Sequence, residues 1–279
     1  VAVVTNIEMD HIDHWHSMDA LEEAFRAFIA GVDESGRIVL PQSLRESFAP
    51  PGGPTVMTFG SEDAEVRARD VATAGVGASF TLVVGDGSAP VTLRVPGAHN
   101  VANALAAAAA CLSVGVDLAD VAAGLENYRG VERRFQIRGE AKGVTVIDDY
   151  AHHPTEVRAT LAAAKPGPWG RVVAVFQPHR YSRTQALAKE FGGSFADADR
   201  IVLMDVYGAG EQPVPGVSGK SVADAICSVL PGRPVAYFPH RAELIAYLER
   251  STRPGDALLT LGAGDVTSVG EELLERLGS

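Results

Sequence analysis

Residue types that bind anions and transfer protons occur in clusters, and each cluster directly follows an aliphatic or β-branched run. Val144–Ile147 leads into Asp148-Asp149-Tyr150-Ala151-His152-His153-Pro154-Thr155-Glu156, and Val172–Phe176 leads into Gln177-Pro178-His179-Arg180-Tyr181-Ser182-Arg183-Thr184. Ile201–Met204 is followed by Asp205-Val206-Tyr207-Gly208-Ala209-Gly210-Glu211, and Ala257–Leu261 by Gly262-Ala263-Gly264-Asp265. Open α/β sheets bind ligands just past the carboxyl ends of their strands, so four such clusters in one half of the chain point to a cleft. Arg180 and Arg183, three apart at a strand-to-helix turn, suit a carboxylate or phosphate through bidentate hydrogen bonds. His152 and His153 are adjacent and point in different directions, so one of them at most serves a given site. Asp265 and Thr155 are also placed to cap helices.

The first half carries a cluster of its own, Glu8, Asp10, His11, Asp13, His14 and His16, again past a strand-like run, Val1–Thr5. A carboxylate there suits Mg²⁺, which takes one or two carboxylates together with substrate phosphates. Asn100 and Asn103 open a helix on one face, an arrangement that favours ligand contact over packing. Arg133-Arg134 follows a turn at Gly130, where two arginines either clamp a nucleotide or form salt bridges. Two apparent phosphate motifs fail. Gly219-Lys220-Ser221 ends like a P-loop, but Val214 stands where its first glycine is required. Gly262-Ala263-Gly264 has Thr267 at the third glycine position of a dinucleotide fingerprint.

The elements that must position these groups read as two α/β regions. In the first, the buried opening strand is followed by a helix capped by Ser17, with Leu21, Phe25, Phe28 and Ile29 on one face. β-like pieces at 37–40, 55–59, 66–74, 80–85 and 89–95 form a small meander, and helices follow at 99–114 and 117–127. From 143 onward, strand-like runs at 143–148, 171–176, 200–204, 234–238 and 256–261 alternate with helical patterns at 154–164, 182–197, 218–229, 240–250 and 265–277. That alternation predicts a doubly wound, mostly parallel sheet. The boundary is expected near 131–136.

With 279 residues, 46% hydrophobic and 21% charged, the chain has ample apolar surface for two folded domains. Its net charge of −11, with no long basic run, argues against nucleic-acid or anionic-membrane binding. No apolar run is long enough to span a bilayer and no secretory signal is present, so the expected compartment is the cytoplasm. Cys111 and Cys227 read as free, buried and reduced.

Taken together and in order, Thr5-Asn6-Ile7-Glu8-Met9-Asp10-His11, Gly97-Ala98-His99-Asn100-Val101-Ala102-Asn103, Arg133-Arg134-Phe135, the Asp148–Glu156 segment and the Gln177–Thr184 segment resemble the Mur ligase family. The resemblance covers essentially the whole chain. It implies residues 1–133 as a central ATPase-type α/β domain with a β meander, lacking its N-terminal P-loop part, and residues 134–279 as a C-terminal, Rossmann-like domain. It further implies ATP-dependent ligation of L-alanine to the carboxylate of UDP-N-acetylmuramate through an acyl phosphate, in peptidoglycan precursor synthesis. On this resemblance Glu8 is the Mg²⁺ ligand, and Asn100, Asn103, Arg134 and Asp149 hold ATP, with Asp149 on the ribose side. Tyr150, His152, His179, Arg180 and Arg183 form the pocket for the amino acid and the acyl end of the substrate, with Glu8, His152, Arg180 and Arg183 acting in catalysis. The expected partners are these small molecules and a second copy in a homodimer, with no nucleic acid and no membrane. Without a P-loop or a UDP-binding domain the chain alone is expected to be inactive. Phe28-Ile29-Ala30-Gly31-Val32-Asp33 lacks the histidine that often supplies a second metal site in the family. The alternatives are a recycling ligase that attaches a preformed peptide to the same sugar, and a non-catalytic binding module on the same fold.

Overall fold

A computed structural model describes residues 1–11 and 14–278, and the chain divides into two compact units, Val1–Arg129 and Gly130–Ser279. Both are α/β. Among the described residues no helix is long and apolar enough to cross a membrane.

The first unit contains β1 (Ala2–Val3), α1 (Met18–Ala30), β2 (Arg37–Pro41), a 3₁₀ turn at Gln42–Leu44, α2 (Arg45–Phe48), β3 (Thr55–Gly60), β4 (Val66–Ala74), β5 (Gly77–Val84), β6 (Gly87–Leu93), α3 (Ala98–Ser113) and α4 (Leu118–Asn127). Its sheet runs in sequence order, parallel from β1 to β4 and antiparallel from β4 to β6. Alanines make α3 slim enough to lie close against the sheet. Val101, Ala104, Leu105, Ala108 and Ala109, at helical spacing, pack on Val39, Phe59, Phe80, Leu82 and Val91. Ser17 caps α1 by accepting from Ala20 N at 3.2 Å.

Two expectations need correction here. The opening strand is not buried on both faces. Ala2 and Val4 are covered, but Val1 and Val3 are exposed; among the described residues β1 pairs with β2 alone. Along α1, Leu21 and Ile29 are buried and Phe25 is partly covered, whereas Phe28 is 53% exposed.

The second unit contains β7 (Gln136–Ala141), β8 (Val144–Asp149), α5 (Pro154–Ala164), β9 (Arg171–Phe176), α6 (Tyr181–Phe191), β10 (Arg200–Leu203), α7 (Gly219–Val229), β11 (Val235–Tyr237), α8 (Arg241–Ser251), β12 (Asp256–Leu261) and α9 (Thr267–Gly278). The strand order is β11-β10-β9-β12-β8-β7, parallel except for the β7–β8 hairpin. Strand side chains alternate between faces, and both faces are covered, so the central strands are continuously apolar. Val172, Ala174 and Phe176 meet α5, α6 and α7 through Val157, Leu161, Phe191 and Ile226. Val173 and Val175 meet α8 and α9 through Leu244, Leu248, Val269 and Leu273. Burying a side chain such as Phe176 contributes roughly 1.5–3 kcal/mol. The chain leaves β8, passes the place later filled by β12 and enters β9, which puts the topological switch, and the loops after β8, β9, β10 and β12, on one side of the sheet.

Both cysteines are free, but they are exposed rather than buried, on the outer faces of α3 and α7.

Candidate active site

In the second unit the strand-end loops converge. The rings of Tyr150 and His152 meet edge-on with centroids 5.2 Å apart, His152 and His179 follow at 5.8 Å, and His179 stacks on Tyr207 at 5.7 Å with 14° between planes. This row crosses from the end of β8 to the ends of β9 and β10. At its β8 end the guanidinium carbons of Arg133 and Arg134 stand 5.0 and 5.6 Å from the Tyr150 ring centre, which is cation–π range.

The ring nitrogens have definable roles. His152 Nδ1 lies 2.9 Å from Tyr150 O and 3.4 Å from Glu156 Oε2, both acceptors, so Nδ1 carries a proton. His179 Nδ1 lies 3.3 Å from Arg183 NH1; arginine only donates, so this nitrogen accepts and the ring proton is on Nε2. Burial, then the charges of His152, Arg183 and Arg180, push His179 down to about 4, leaving it neutral at pH 7. Arg183 is itself buried. His153 caps α5: its Nδ1 accepts from Thr155 N, and Glu156 accepts from His153 N in return. Burial would raise the Glu156 carboxyl, but the amides of His152 and His153 and the charges of His152 and Arg134 hold it below the usual range.

Arg180 opens α6 with φ 69° and ψ 137°, a backbone conformation that L-residues rarely adopt. Arg133 (φ 57°) and Phe135 (φ 48°) flank Arg134 in the left-handed region. Arg133 is bolted inward, donating to Asp148 Oδ2 at 3.0 Å and to Gly262 O at 2.7 Å, while Arg134 is half exposed and pairs with Glu156 at 3.4 Å. Of the two arginines, then, Arg133 is a framework group and Arg134 is accessible. Asp149 is buried. Its Oδ2 accepts from Phe135 N at 2.9 Å and its Oδ1 from Ala151 N at 2.8 Å, so both oxygens already serve the backbone. Burial outweighs those two donors and Arg134 and raises its carboxyl to about 6.

The two failed phosphate motifs are filled by the protein itself. A Cβ on Gly219 would stand 1.9 Å from Met204 O, and Gly219 N donates to Asp205 Oδ1, so that glycine lets α7 pack on β10. Lys220 pairs with Asp224. Gly264 accommodates Gln177, which also accepts from Val266 N and donates to Asp265.

The first unit holds the other predicted residues. Glu8, Asn6, Asp10 and His11 line the polar part of a cavity of about 520 Å³ whose apolar wall includes Trp15, Leu21, Phe25 and Phe28. The carboxylates of Glu8 and Asp10 are hard oxygen donors of the kind Mg²⁺ takes, although among the described residues no three His, Cys, Asp or Glu side chains are grouped to hold a metal ion. Asp13 lies outside the described residues. Asn100 and Asn103 share one face of α3, linked by Asn103 Nδ2 donating to Asn100 Oδ1 at 3.5 Å. They line a second cavity of about 230 Å³ with Leu93, Val95, Leu125 and Tyr128. Asn100 Nδ2 is fixed by Pro96 O at 2.7 Å.

Sequence reasoning assigned no role to Tyr207 or Glu211, which hold the segment carrying Arg180. Their signal was available: they follow β10 as the predicted residues follow β8 and β9.

The fold is a mixed α/β architecture of two mostly parallel sheets, and the chain belongs to the Mur ligase family. The family's middle domain matches residues 1–111 and its glutamate ligase domain matches residues 133–264. The UDP-N-acetylmuramate–L-alanine ligase of Rubrobacter xylanophilus is 47% identical over 99% of this chain and 62% of its own length. That of Pelotomaculum thermopropionicum is 44% identical over 99% of this chain and 61% of its own length. The chain thus spans about three-fifths of these relatives. The crystal structure of UDP-N-acetylmuramate-alanine ligase from Thermotoga maritima superposes with a TM-score of 0.77 at 29% identity, covering 98% of this chain and 58% of that one. The MurF ligase of the same organism, solved in complex with ADP, shares the fold (TM-score 0.75, 19% identity, 99% and 62% covered).

Proposed function

We propose that the chain provides the middle and C-terminal domains of a cytoplasmic ligase that joins L-alanine to the carboxylate of UDP-N-acetylmuramate with ATP. The observation that carries the reading is the convergence of Tyr150, His152, His179 and Arg183 at the carboxyl ends of β8 and β9. Alanine has only a methyl side chain, so its carboxylate is the strong handle, and Arg180 with Arg183 supplies the complementary charge.

In the reaction proposed, a carboxylate oxygen of the muramyl group attacks the γ-phosphorus of ATP and ADP leaves. The alanine amine then attacks the acyl carbon of the acyl phosphate. The tetrahedral intermediate expels phosphate, and the amine proton passes to a base. Neutral His179 keeps Nδ1 on Arg183, which fixes that guanidinium. His152, with Nδ1 committed to Tyr150 O, presents Nε2 to the acyl end. Asn100 and Asn103 offer amide donors and acceptors to the purine edge in the 230 Å³ cavity, and Arg134 offers a cation to ATP phosphates. Asp149 serves the ribose side by holding the backbone around Arg134. Mg²⁺, held by Glu8, would neutralise phosphate charge.

The test is phosphate release from ATP in a full-length polypeptide carrying this sequence, with UDP-N-acetylmuramate and L-alanine supplied together or singly. Release that requires both is expected. Turnover with a preformed peptide in place of L-alanine would move the assignment to a recycling ligase, and no turnover with either would favour a binding module.

A further inference from the structure

The loop after β10 is stitched to the segment that carries His179 and Arg180. Tyr207 N donates to Pro178 O at 2.9 Å and Arg180 N donates to Tyr207 O at 2.8 Å, giving a short parallel bridge between His179 and Tyr207. The Tyr207 ring stacks on the His179 ring. Backbone closes in on it at Gly264, where a Cβ would stand 2.7 Å from Tyr207 Cγ and 2.4 Å from Gln177 Oε1. Farther along the loop, Glu211 accepts from Ser182 N at 3.0 Å and Ser182 Oγ at 2.6 Å, tying it to the first turn of α6.

Arg180 is the residue that needs this support. Its φ of 69° with ψ 137° persists only where surrounding contacts over-determine it. Those contacts are the Tyr207 carbonyl on its N–H and the Thr184 amide and hydroxyl on its carbonyl, at 3.1 and 2.7 Å. Tyr207 is 40% exposed and belongs to none of the buried apolar clusters, so core packing does not account for it.

We propose that Tyr207 is a positioning residue for the amino-acid substrate: it holds His179 and Arg180 in register for the substrate carboxylate and acts through them. The inference rests on the ligase reading above. Its stacked ring restrains the His179 imidazole, and so the Nδ1 acceptor on which Arg183 is aligned. Gly264 belongs to the same device, because any side chain there would displace the Tyr207 ring.

The experiment measures initial rates in the full-length polypeptide, varying L-alanine and ATP separately, for the wild type and for Tyr207→Ala, Tyr207→Phe and Gly264→Ala. Tyr207→Ala should raise the KM for L-alanine about tenfold or more, the scale of a small misplacement of binding groups, with the KM for ATP changed by less than about twofold. Tyr207→Phe keeps the ring and both backbone bonds and should restore the alanine KM. Gly264→Ala should reproduce the alanine defect from the other side of the ring, and it keeps the idea testable if Tyr207→Ala does not fold. An unchanged alanine KM in Tyr207→Ala, alanine and ATP KM values rising together, or failure of Tyr207→Phe to restore would each overturn the proposal. A wild type without alanine-dependent phosphate release would instead overturn the ligase reading.

Discussion

Arg133 Nε lies 3.0 Å from Asp148 Oδ2, and that carboxylate is wholly removed from solvent. Thr260 Oγ1 donates to its other oxygen at 2.7 Å and Thr267 Oγ1 to Oδ2 at 2.9 Å, so β12 and the start of α9 are tied to the end of β8. Removing the carboxylate leaves Arg133, itself about a quarter exposed, and the two threonine hydroxyls without that acceptor, at a cost of about 1–3 kcal/mol. Asp148→Ala should therefore lower the stability of the second unit by that order. Denaturant unfolding followed by Trp169 fluorescence, in a Trp15→Phe background, measures it; a loss below about 1 kcal/mol would show that water reaches the pair.

Asp149 and His179 give opposing pH dependences. The Asp149 carboxyl, raised from 3.8 to about 6, makes the folded state bind a proton more readily than the unfolded chain, so its contribution to stability falls as pH rises from 3.8 to about 6. His179, lowered from 6.5 to about 4, does the reverse: its contribution is complete above 6.5 and is lost as pH falls toward about 4. The two slopes largely cancel between pH 4 and 6. Urea unfolding of the second unit across this range should show stability falling with pH in His179→Asn relative to the wild type, and rising in Asp149→Asn. Parallel curves for all three proteins would contradict both shifts.

Arg180→Ala should raise the KM for L-alanine far more than the KM for ATP. A lost charge-assisted hydrogen bond costs about 1.5–3 kcal/mol, or roughly 10- to 100-fold. Steady-state kinetics in the full-length polypeptide checks this, and an unchanged alanine KM would remove Arg180 from the substrate site.

Glu8→Gln should leave the melting temperature nearly unchanged while shifting the Mg²⁺ dependence of turnover to higher concentration, because the amide keeps the shape and loses the charge that balances the ion. A Mg²⁺ titration overlapping the wild type would make Glu8 a loop residue only.

Most of the second sheet was legible because its strands are buried on both faces and its loops carry the polar residues. Val172–Phe176 and Ala257–Leu261 read as strands from their unbroken apolar runs, and the structure places strands there. The strand β7 was not legible: Gln136-Ile137-Arg138-Gly139-Glu140-Ala141 alternates weakly, Ile137 faces outward, and only pairing with β8 makes it a strand. The position of Asn100 and Asn103 on one face followed from helical spacing. The different fates of Arg133 and Arg134 did not, because two successive arginines look alike until left-handed turns on either side of Arg134 send one inward and leave the other accessible. The polar cluster after β10 was legible, but the particular role of Tyr207 within it was not, because its partners His179 and Gly264 are distant in sequence.

On the ligase reading, the backbone of Arg180 sets thermal robustness against the proposed grip on the substrate carboxylate at one position. Glycine would adopt that conformation without steric penalty and relieve strain on the order of 1–3 kcal/mol, while alanine would relieve almost none. Random variation screened only for heat resistance should thus enrich Arg180→Gly, and if the proposed role of Arg180 holds, those survivors would be sturdy proteins with a weakened hold on L-alanine.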